Sequence, residues 1–364
     1  MGVLVRYTTY MHDLNDIATA LVTGGKGILA ADESNESADE KRLKPFGIAP
    51  GEENRRKFRD LLLATPGIEQ YLTGVILYEE TLHQKSDTKV LFPKLLADHG
   101  IIPGIKVDQG LEPFPESPDE TITKGLIGLP ERLAEYKKEY GTGFTKWRAV
   151  VKIDGTRLPT AQALHENAKR LAQYALEVQK AGMVPMVEPE MLLEGTHSRM
   201  RAKEVLTDTL GTLMRVMEDH AVDMSAVILK TSMVLSGKGN GRTDTPEEVA
   251  EDTVSVLMET VPATIPGIVF LSGGQTPDQA TENLAAIVRS AKEKGAPWPL
   301  TFSYARALQE EAIAVWAGKD ENADNGEAGH TDSQGGPGIF AARKSLPGRL
   351  PSAQSGHRPA GKAR

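Results

Sequence analysis

The sequence predicts an α/β fold, a (β/α)8 barrel of the TIM type. Three observations carry that prediction. Eight short apolar segments recur along the chain, stretches of helical pattern separate them, and polar residues gather at or near their C-terminal ends. The segments cover residues 27–32, 73–78, 101–107, 147–153, 183–187, 226–229, 267–271 and 299–302. Most are near-continuous runs of Val, Ile, Leu and Met, the composition of parallel strands covered on both faces.

The helical stretches alternate with these segments, and residues 160–180, 199–220 and 246–261 are long amphipathic examples. Their ends are marked locally. Thr245-Pro246-Glu247-Glu248 offers an N-cap, a proline at the first helical position and a glutamate that completes a capping box. Thr276-Pro277-Asp278-Gln279 repeats the arrangement, and Gly182 and Gly295 stand where helices should stop. An open doubly wound sheet is the structural alternative. It normally carries G-x-G-x-x-G after its first strand, and Ala30-Ala31-Asp32-Glu33 is no such turn. The expected organisation is a helical extension over residues 1–23 (Leu14, Ile17 and Leu21 facing the barrel), a barrel over 24–322 and a tail over 323–364. Gly, Pro and Ser dominate that tail and its local charge turns positive, a composition expected to be disordered.

Composition narrows the function. Of 364 residues, 40% are hydrophobic and 25% charged, the balance of an ordinary globular protein. A net charge of −8 argues against nucleic acid or an anionic membrane as partner. No apolar run is long enough to cross a bilayer and no signal peptide is evident, so the expected location is cytoplasmic. The chain has no cysteine, which removes thiolate nucleophiles, thiolate metal sites and disulfides. Its eight histidines show no metal-ligand spacing, so no metal or cofactor is expected.

The polar residues near the segment ends are Asp32, Lys106, Asp108, Lys146, Arg148, Lys152, Glu188, Glu190, Lys230, Ser272, Ser303 and Arg306. A barrel of this kind builds its active site at that face. Lys146 with Arg148, and Glu188 with Glu190, sit two apart and project to one side of a strand. Lys230 closes the run Ala226-Val227-Ile228-Leu229-Lys230. Lost hydration there disfavours a charged amine, and a neutral amine attacks carbonyls to form a Schiff base. Ser272-Gly273-Gly274 before Thr276-Pro277 is a candidate phosphate cradle, with Arg306 as a clamp on the same group. Lys41, Arg42, Lys106 and Arg148, with Ser34 and Ser37, form a second basic cluster. Two such clusters flanking Lys230 suggest a substrate with phosphate at both ends.

These residues resemble the class I, Schiff-base family of fructose-1,6-bisphosphate aldolases. The resemblance rests on residues 25–34 (GKGILAADES), 52–56 (EENRR), 104–108 (GIKVD) and 146–148 (KWR). It continues through 187–190 (VEPE), Leu229-Lys230, 270–275 (FLSGGQ) and 301–304 (TFSY), and spans about residues 12–320. It implies that Lys230 is the Schiff-base nucleophile and Glu188 the acid/base residue. It implies Lys146 and Asp32 at the cleaved C3–C4 bond and its hydroxyl, with Glu190 a supporting carboxylate. Ser272, Gly273, Gly274, Ser303 and Arg306 then correspond to the C1-phosphate site. Ser34, Ser37, Arg42, Lys106 and Arg148 correspond to the sugar and C6-phosphate side. The resemblance also implies a homo-oligomer, commonly a tetramer, with a small sugar bisphosphate as its substrate.

The chain departs from the family at three places. Thr231-Ser232 follows Lys230 where the family commonly has proline and a small polar residue. Ala305 replaces a common glycine before Arg306. Many members end in a tyrosine that assists enamine proton exchange, and here no tyrosine follows Tyr304. Slowed proton exchange, or another group in the tyrosine's place, is the expectation. A Schiff-base lyase for another sugar phosphate and a non-catalytic barrel are the competing readings. The two phosphate clusters weigh against the first, and the retained Lys230, Glu188, Lys146 and Asp32 against the second.

Overall fold

The computed structural model describes residues 14–323. The expected disordered tail lies outside the described residues, except for its first position. Eight parallel strands close into a barrel: β1 (Gly27–Ala31), β2 (Leu72–Leu77), β3 (Ile102–Lys106), β6 (Phe144–Val151), β7 (Val184–Met191), β8 (Ile228–Thr231), β9 (Gly267–Phe270) and β10 (Leu300–Tyr304). Neighbours around the barrel follow chain order, and β10 pairs with β1 to close it (Ile28 opposite Ser303). Between β3 and β6 the chain inserts an antiparallel hairpin, β4 (Leu111–Phe114) and β5 (Ser117–Thr123), which the apolar periodicity does not predict. Phe114 and Ile122 of the hairpin bury against Ala163.

The helices are α1 (Leu14–Val22), α2 (Asn35–Ala38), α3 (Glu52–Leu63), α4 (Glu79–His83), α5 (Phe92–Asp98) and α6 (Leu129–Tyr140). They continue with α7 (Ala161–Lys180), α8 (Arg199–Asp219), α9 (Pro246–Thr260), α10 (Pro277–Glu293) and α11 (Arg306–Trp316). Both predicted capping boxes form. Thr245 Oγ1 accepts from Glu248 N at 3.3 Å while Glu248 Oε2 accepts from Thr245 N at 3.1 Å. Thr276 and Gln279 repeat this at 3.2 Å in each direction. Gly182 and Gly295 take positive φ just past α7 and α10, the left-handed turn that ends a helix.

Alternation of strand side chains sorts the core into two layers. Leu29, Val75, Ile105, Val187, Leu229 and Phe270 face outward to the helices. Ile28, Ala30, Ile76, Phe144, Val184, Met186, Ile228 and Val269 fill the barrel interior, together with Ala18, Leu21 and Val22 of α1. Helix α1 therefore plugs the N-terminal mouth, and glycines make room for the plug. A Cβ on Gly74 would stand 2.8 Å from Leu21 Cδ2, and one on Gly267 2.6 Å from Val22 Cγ2. Phe144 likewise rests where a Cβ on Gly104 would be 2.3 Å from its ring.

That plug decides where polar groups can go. Two residues beyond each apolar interior position, the same strand face reaches the open mouth. Ile28-Ala30 leads to Asp32, Phe144 to Lys146 and Arg148, Met186 to Glu188 and Glu190, and Ile228 to Lys230. One face of each strand is thus apolar below and ionic above. Four strands differ from the expectation by two residues or more at an end, β10 among them by running on to Tyr304. β6 begins at Phe144, so Lys146 is its third residue; β7 continues through Glu188-Pro189-Glu190 to Met191; β8 begins at Ile228, after a 3-10 turn at Met224–Ala226. Charged residues on an inward face break a hydrophobic run without ending the strand that carries them.

Candidate active site

The mouth of the barrel is a cavity of about 910 Å³. All fifteen site residues predicted from the sequence line it: Asp32, Ser34, Ser37, Arg42, Lys106, Lys146, Arg148, Glu188, Glu190, Lys230, Ser272, Gly273, Gly274, Ser303 and Arg306. At its floor lies a chain of four charges. Lys230 Nζ is 2.9 Å from Glu188 Oε1, Glu188 Oε2 is 3.1 Å from Lys146 Nζ, and Lys146 Nζ is 2.6 Å from Asp32 Oδ2. Lys230 and Glu188 are each only 3% exposed, and Lys146 4%.

Burial and charge oppose each other here, and charge prevails. Burial pushes the Asp32 carboxyl up, but the ammonium groups of Lys146 and Lys230 and the Lys146 hydrogen bond outweigh it, taking it to about 2. Glu188 follows the same pattern: burial raises it, and Lys146 and Lys230 bring it below the usual carboxylate value. Burial lowers Lys146, whereas Asp32 and Glu188 raise it well above the usual lysine range. The Glu188 carboxyl is therefore not raised in the resting site. Glu188 is a carboxylate held between Lys146 and Lys230, a proton acceptor placed against Lys230.

On one side of this floor, the basic cluster is matched by acids. Arg42 Nε is 2.9 Å from Glu33 Oε1, Lys106 Nζ 2.6 Å from Asp108 Oδ1, and Arg148 Nε pairs with Glu190. Asp108 Oδ2 also accepts from the backbone N–H of Arg148 at 3.2 Å, tying β3 to β6. Glu33 serves two arginines, since Arg59 Nη1 lies 3.0 Å from its Oε2. Ser34 Oγ caps α2 by accepting from Ser37 N at 3.3 Å. The other side is looser. Gly273 and Gly274 take positive φ in the turn before α10, and Arg306 Nη2 donates to Gln275 O at 3.3 Å. Ser303 is 1% exposed, and its Oγ is buried without a hydrogen-bond partner although the residue lines the cavity.

The family departures have simple structural consequences. Ser232 Oγ accepts from Met191 N at 3.0 Å and joins the ends of β7 and β8. Ala305 has φ −103°, so its backbone does not need glycine. Sequence reasoning missed Glu33 and Lys238 as members of this cavity. Glu33 stands next to Asp32 but finds its arginines across long sequence separations. Lys238 had a signal, the run Ser236-Gly237-Lys238-Gly239-Asn240-Gly241, which is a loop composition suited to anions. His197 sits in the loop before α8, and burial lowers its pKa. Among the described residues, no group of three His, Asp or Glu is arranged to hold a metal ion.

The chain is similar to known proteins over most of its length. Residues 13–333 match the family model described as glycolytic, fructose-bisphosphate aldolase class-I. A probable fructose-bisphosphate aldolase class 1 of Xanthomonas campestris is 47% identical over 307 residues, covering 84% of this chain and 90% of that protein. A cytosolic fructose-bisphosphate aldolase of Arabidopsis thaliana is 45% identical over 310 residues, 85% of this chain and 78% of that one. Among solved structures, fructose-bisphosphate aldolase of Plasmodium falciparum, in complex with TRAP and a small-molecule inhibitor, superposes with a TM-score of 0.83. It is 40% identical and covers 92% of this chain and 91% of its own. The chain belongs to the class I fructose-bisphosphate aldolases.

Proposed function

We propose that this chain catalyses the reversible aldol cleavage of D-fructose 1,6-bisphosphate to dihydroxyacetone phosphate and D-glyceraldehyde 3-phosphate, with Lys230 as the Schiff-base nucleophile. The observation that carries the residue assignment is the contact of Lys230 Nζ with Glu188 Oε1 at 2.9 Å, at the buried floor of a cavity with cations on opposite walls. Glu188 takes a proton from the Lys230 ammonium, and the freed amine attacks the C2 carbonyl. The carbinolamine then loses water as Glu188 returns the proton to the departing hydroxyl, leaving an iminium between C2 and Nζ.

Cleavage follows from that cation. The C4 hydroxyl gives its proton to a carboxylate of the Asp32–Glu188 pair, the C3–C4 bond breaks, and its electron pair becomes the enamine double bond between C2 and C3. C4 leaves as the aldehyde. Lys146, bridging both carboxylates, keeps them ionised and in place before the proton arrives. Protonation at C3 and hydrolysis release the ketone phosphate and restore Lys230.

The phosphates fit the two walls. Ser272, Gly273, Gly274, Ser303 and Arg306 receive the C1 phosphate, and the Ser303 hydroxyl has no hydrogen-bond partner of its own. Ser34, Ser37, Arg42, Lys106 and Arg148 receive the C6 end, and Glu190 orients Arg148. The reading extends to a homo-tetramer working in the cytoplasm, as the resemblance implies; no helix among the described residues is long and apolar enough to cross a membrane. The test is a steady-state cleavage assay with both products identified by NMR. Cleavage of the bisphosphate with higher kcat/KM than fructose 1-phosphate, lost in Lys230→Met, is the expected result. Equal or better turnover of a monophosphate would overturn the bisphosphate assignment.

A further inference from the structure

The loop after β8 carries a lysine, Lys238, that lines the active-site cavity and that the roles above do not use. Its backbone is docked on the loop after β7. Gly237 N donates to His197 O at 2.9 Å, Lys238 N to Leu193 O at 2.9 Å, Gly239 N to Gly195 O at 2.8 Å, and Asn240 Nδ2 to Thr196 O at 3.0 Å. The docking needs glycine on both sides of the lysine. A Cβ on Gly237 would stand 2.5 Å from Gly195 O, and one on Gly239 3.0 Å from the same atom. The 3-10 turn Lys238–Asn240 is thereby held at a fixed place from which Lys238 alone extends.

It extends over the S-G-G turn. Lys238 Nζ lies 2.9 Å from the point where a Cβ on Gly274 would be, and the residue lines both the active-site cavity and a second cavity of about 470 Å³ behind it. Gly274 has φ +93°, so the absence of a side chain there serves the turn and admits the ammonium at once.

Its charge is also available. Lys146, Lys106, Arg42 and Arg148 each hold a carboxylate oxygen within 2.9 Å. Lys238 meets Glu194 only at 3.9 Å, and Arg306 meets Glu310 only at 3.9 Å. The two loosely paired cations thus stand beside the S-G-G turn, in the cavity that Ser303, with its buried and unpartnered hydroxyl, also lines. A dianionic phosphate seated on the turn would draw both, at little cost in broken ion pairs.

We infer that Lys238 is a ligand of the ketose-side phosphate, closing with Arg306 a two-cation clamp over Ser272–Gly274 and setting the affinity for the dihydroxyacetone phosphate half of the reaction. This rests on the aldolase reading, and the test separates the two. Adduct formation is titrated with dihydroxyacetone phosphate under borohydride reduction in the unchanged chain, Lys238→Met and Lys238→Arg. The KM for glyceraldehyde 3-phosphate in condensation is measured alongside. The expected half-saturation for dihydroxyacetone phosphate rises about tenfold in Lys238→Met, the loss of one partly exposed charge-assisted contact, and Lys238→Arg restores most of it. The glyceraldehyde 3-phosphate KM stays where it was. An unchanged half-saturation in Lys238→Met, or a parallel rise for both substrates, overturns the clamp. Calorimetric titration with inorganic phosphate needs no Schiff base. If no adduct forms in the unchanged chain while Lys238→Met still weakens phosphate binding, the aldolase reading fails and the clamp stands; undiminished phosphate binding refutes the clamp.

Discussion

Replacing Lys146 by Met keeps the side-chain volume and removes the ammonium that Asp32 and Glu188 share. Glu188 retains Lys230, but Asp32 keeps no ion-pair partner at contact distance. The Asp32 carboxyl falls from its ordinary 3.8 to about 2, which is about 2 kcal/mol of preference for the ionised form. Without Lys146 most of that preference goes and the cost of burial remains, so destabilisation of about 3 kcal/mol at pH 7 is expected, the lower range for breaking a buried pair. The sign with pH follows from which form is preferred. In the unchanged chain the depressed Asp32 and Glu188 contribute stability above their unfolded values of 3.8 and 4.5 and lose it as pH falls below them, Asp32 towards about 2. In Lys146→Met the Asp32 carboxyl takes up a proton more readily, so the deficit shrinks between pH 7 and pH 5. Urea unfolding of both chains at the two pH values measures this, and Lys146→Met/Asp32→Asn should recover most of the loss. A deficit below about 0.5 kcal/mol that does not change with pH would refute the view that Lys146 holds buried carboxylates in their charged form.

Glu188→Gln keeps the shape but cannot accept the Lys230 proton, so single-turnover Schiff-base formation should slow roughly 10²–10⁴-fold; stopped-flow trapping that shows no slowing excludes Glu188 as the base. Activity should survive prolonged EDTA treatment, since the proposed steps use only side chains, and loss of turnover restored by zinc would contradict them. Gly104→Ala places a methyl carbon where the Phe144 ring stands and should cost about 1–3 kcal/mol in urea unfolding, partly recovered by Phe144→Leu. An unshifted midpoint would mean the barrel interior is looser than described. Thr276→Ala removes a capping box at α10 and should cost about 1 kcal/mol, with Thr276→Ser keeping most of it.

Features written in local chemistry were legible in the sequence. Both capping boxes and the glycine stops after α7 and α10 depend on neighbours three or four residues away. The barrel could be counted because strands buried on both faces carry apolar runs. The site residues could be named because they interrupt those runs, and the resemblance assigned their roles. What escaped depends on distant partners. The β4–β5 hairpin contains Pro113 and Pro118, which argue against a strand, and it is stabilised by packing on α7 rather than by its own pattern. β6 starts before its predicted first residue and β7 runs past its predicted last one because Lys146, Glu188 and Glu190 are tolerated inside the barrel mouth only through one another. Glu33 and Lys238 look like ordinary surface charges until Arg59 and the loop at residues 193–197 are placed beside them. Glu188 shows the same limit in its electrostatics: its carboxyl is lowered, and only the positions of two ammonium groups reveal the direction.

Everything proposed for this site turns on Lys230 being the amine that bonds to the substrate. Incubation with dihydroxyacetone phosphate, borohydride reduction and peptide mass mapping test it most directly. One reduced adduct per chain is expected, on Lys230, absent from Lys230→Met and formed far more slowly in Glu188→Gln. An adduct on Lys146 or Lys106, or no adduct at saturating ligand, would contradict it.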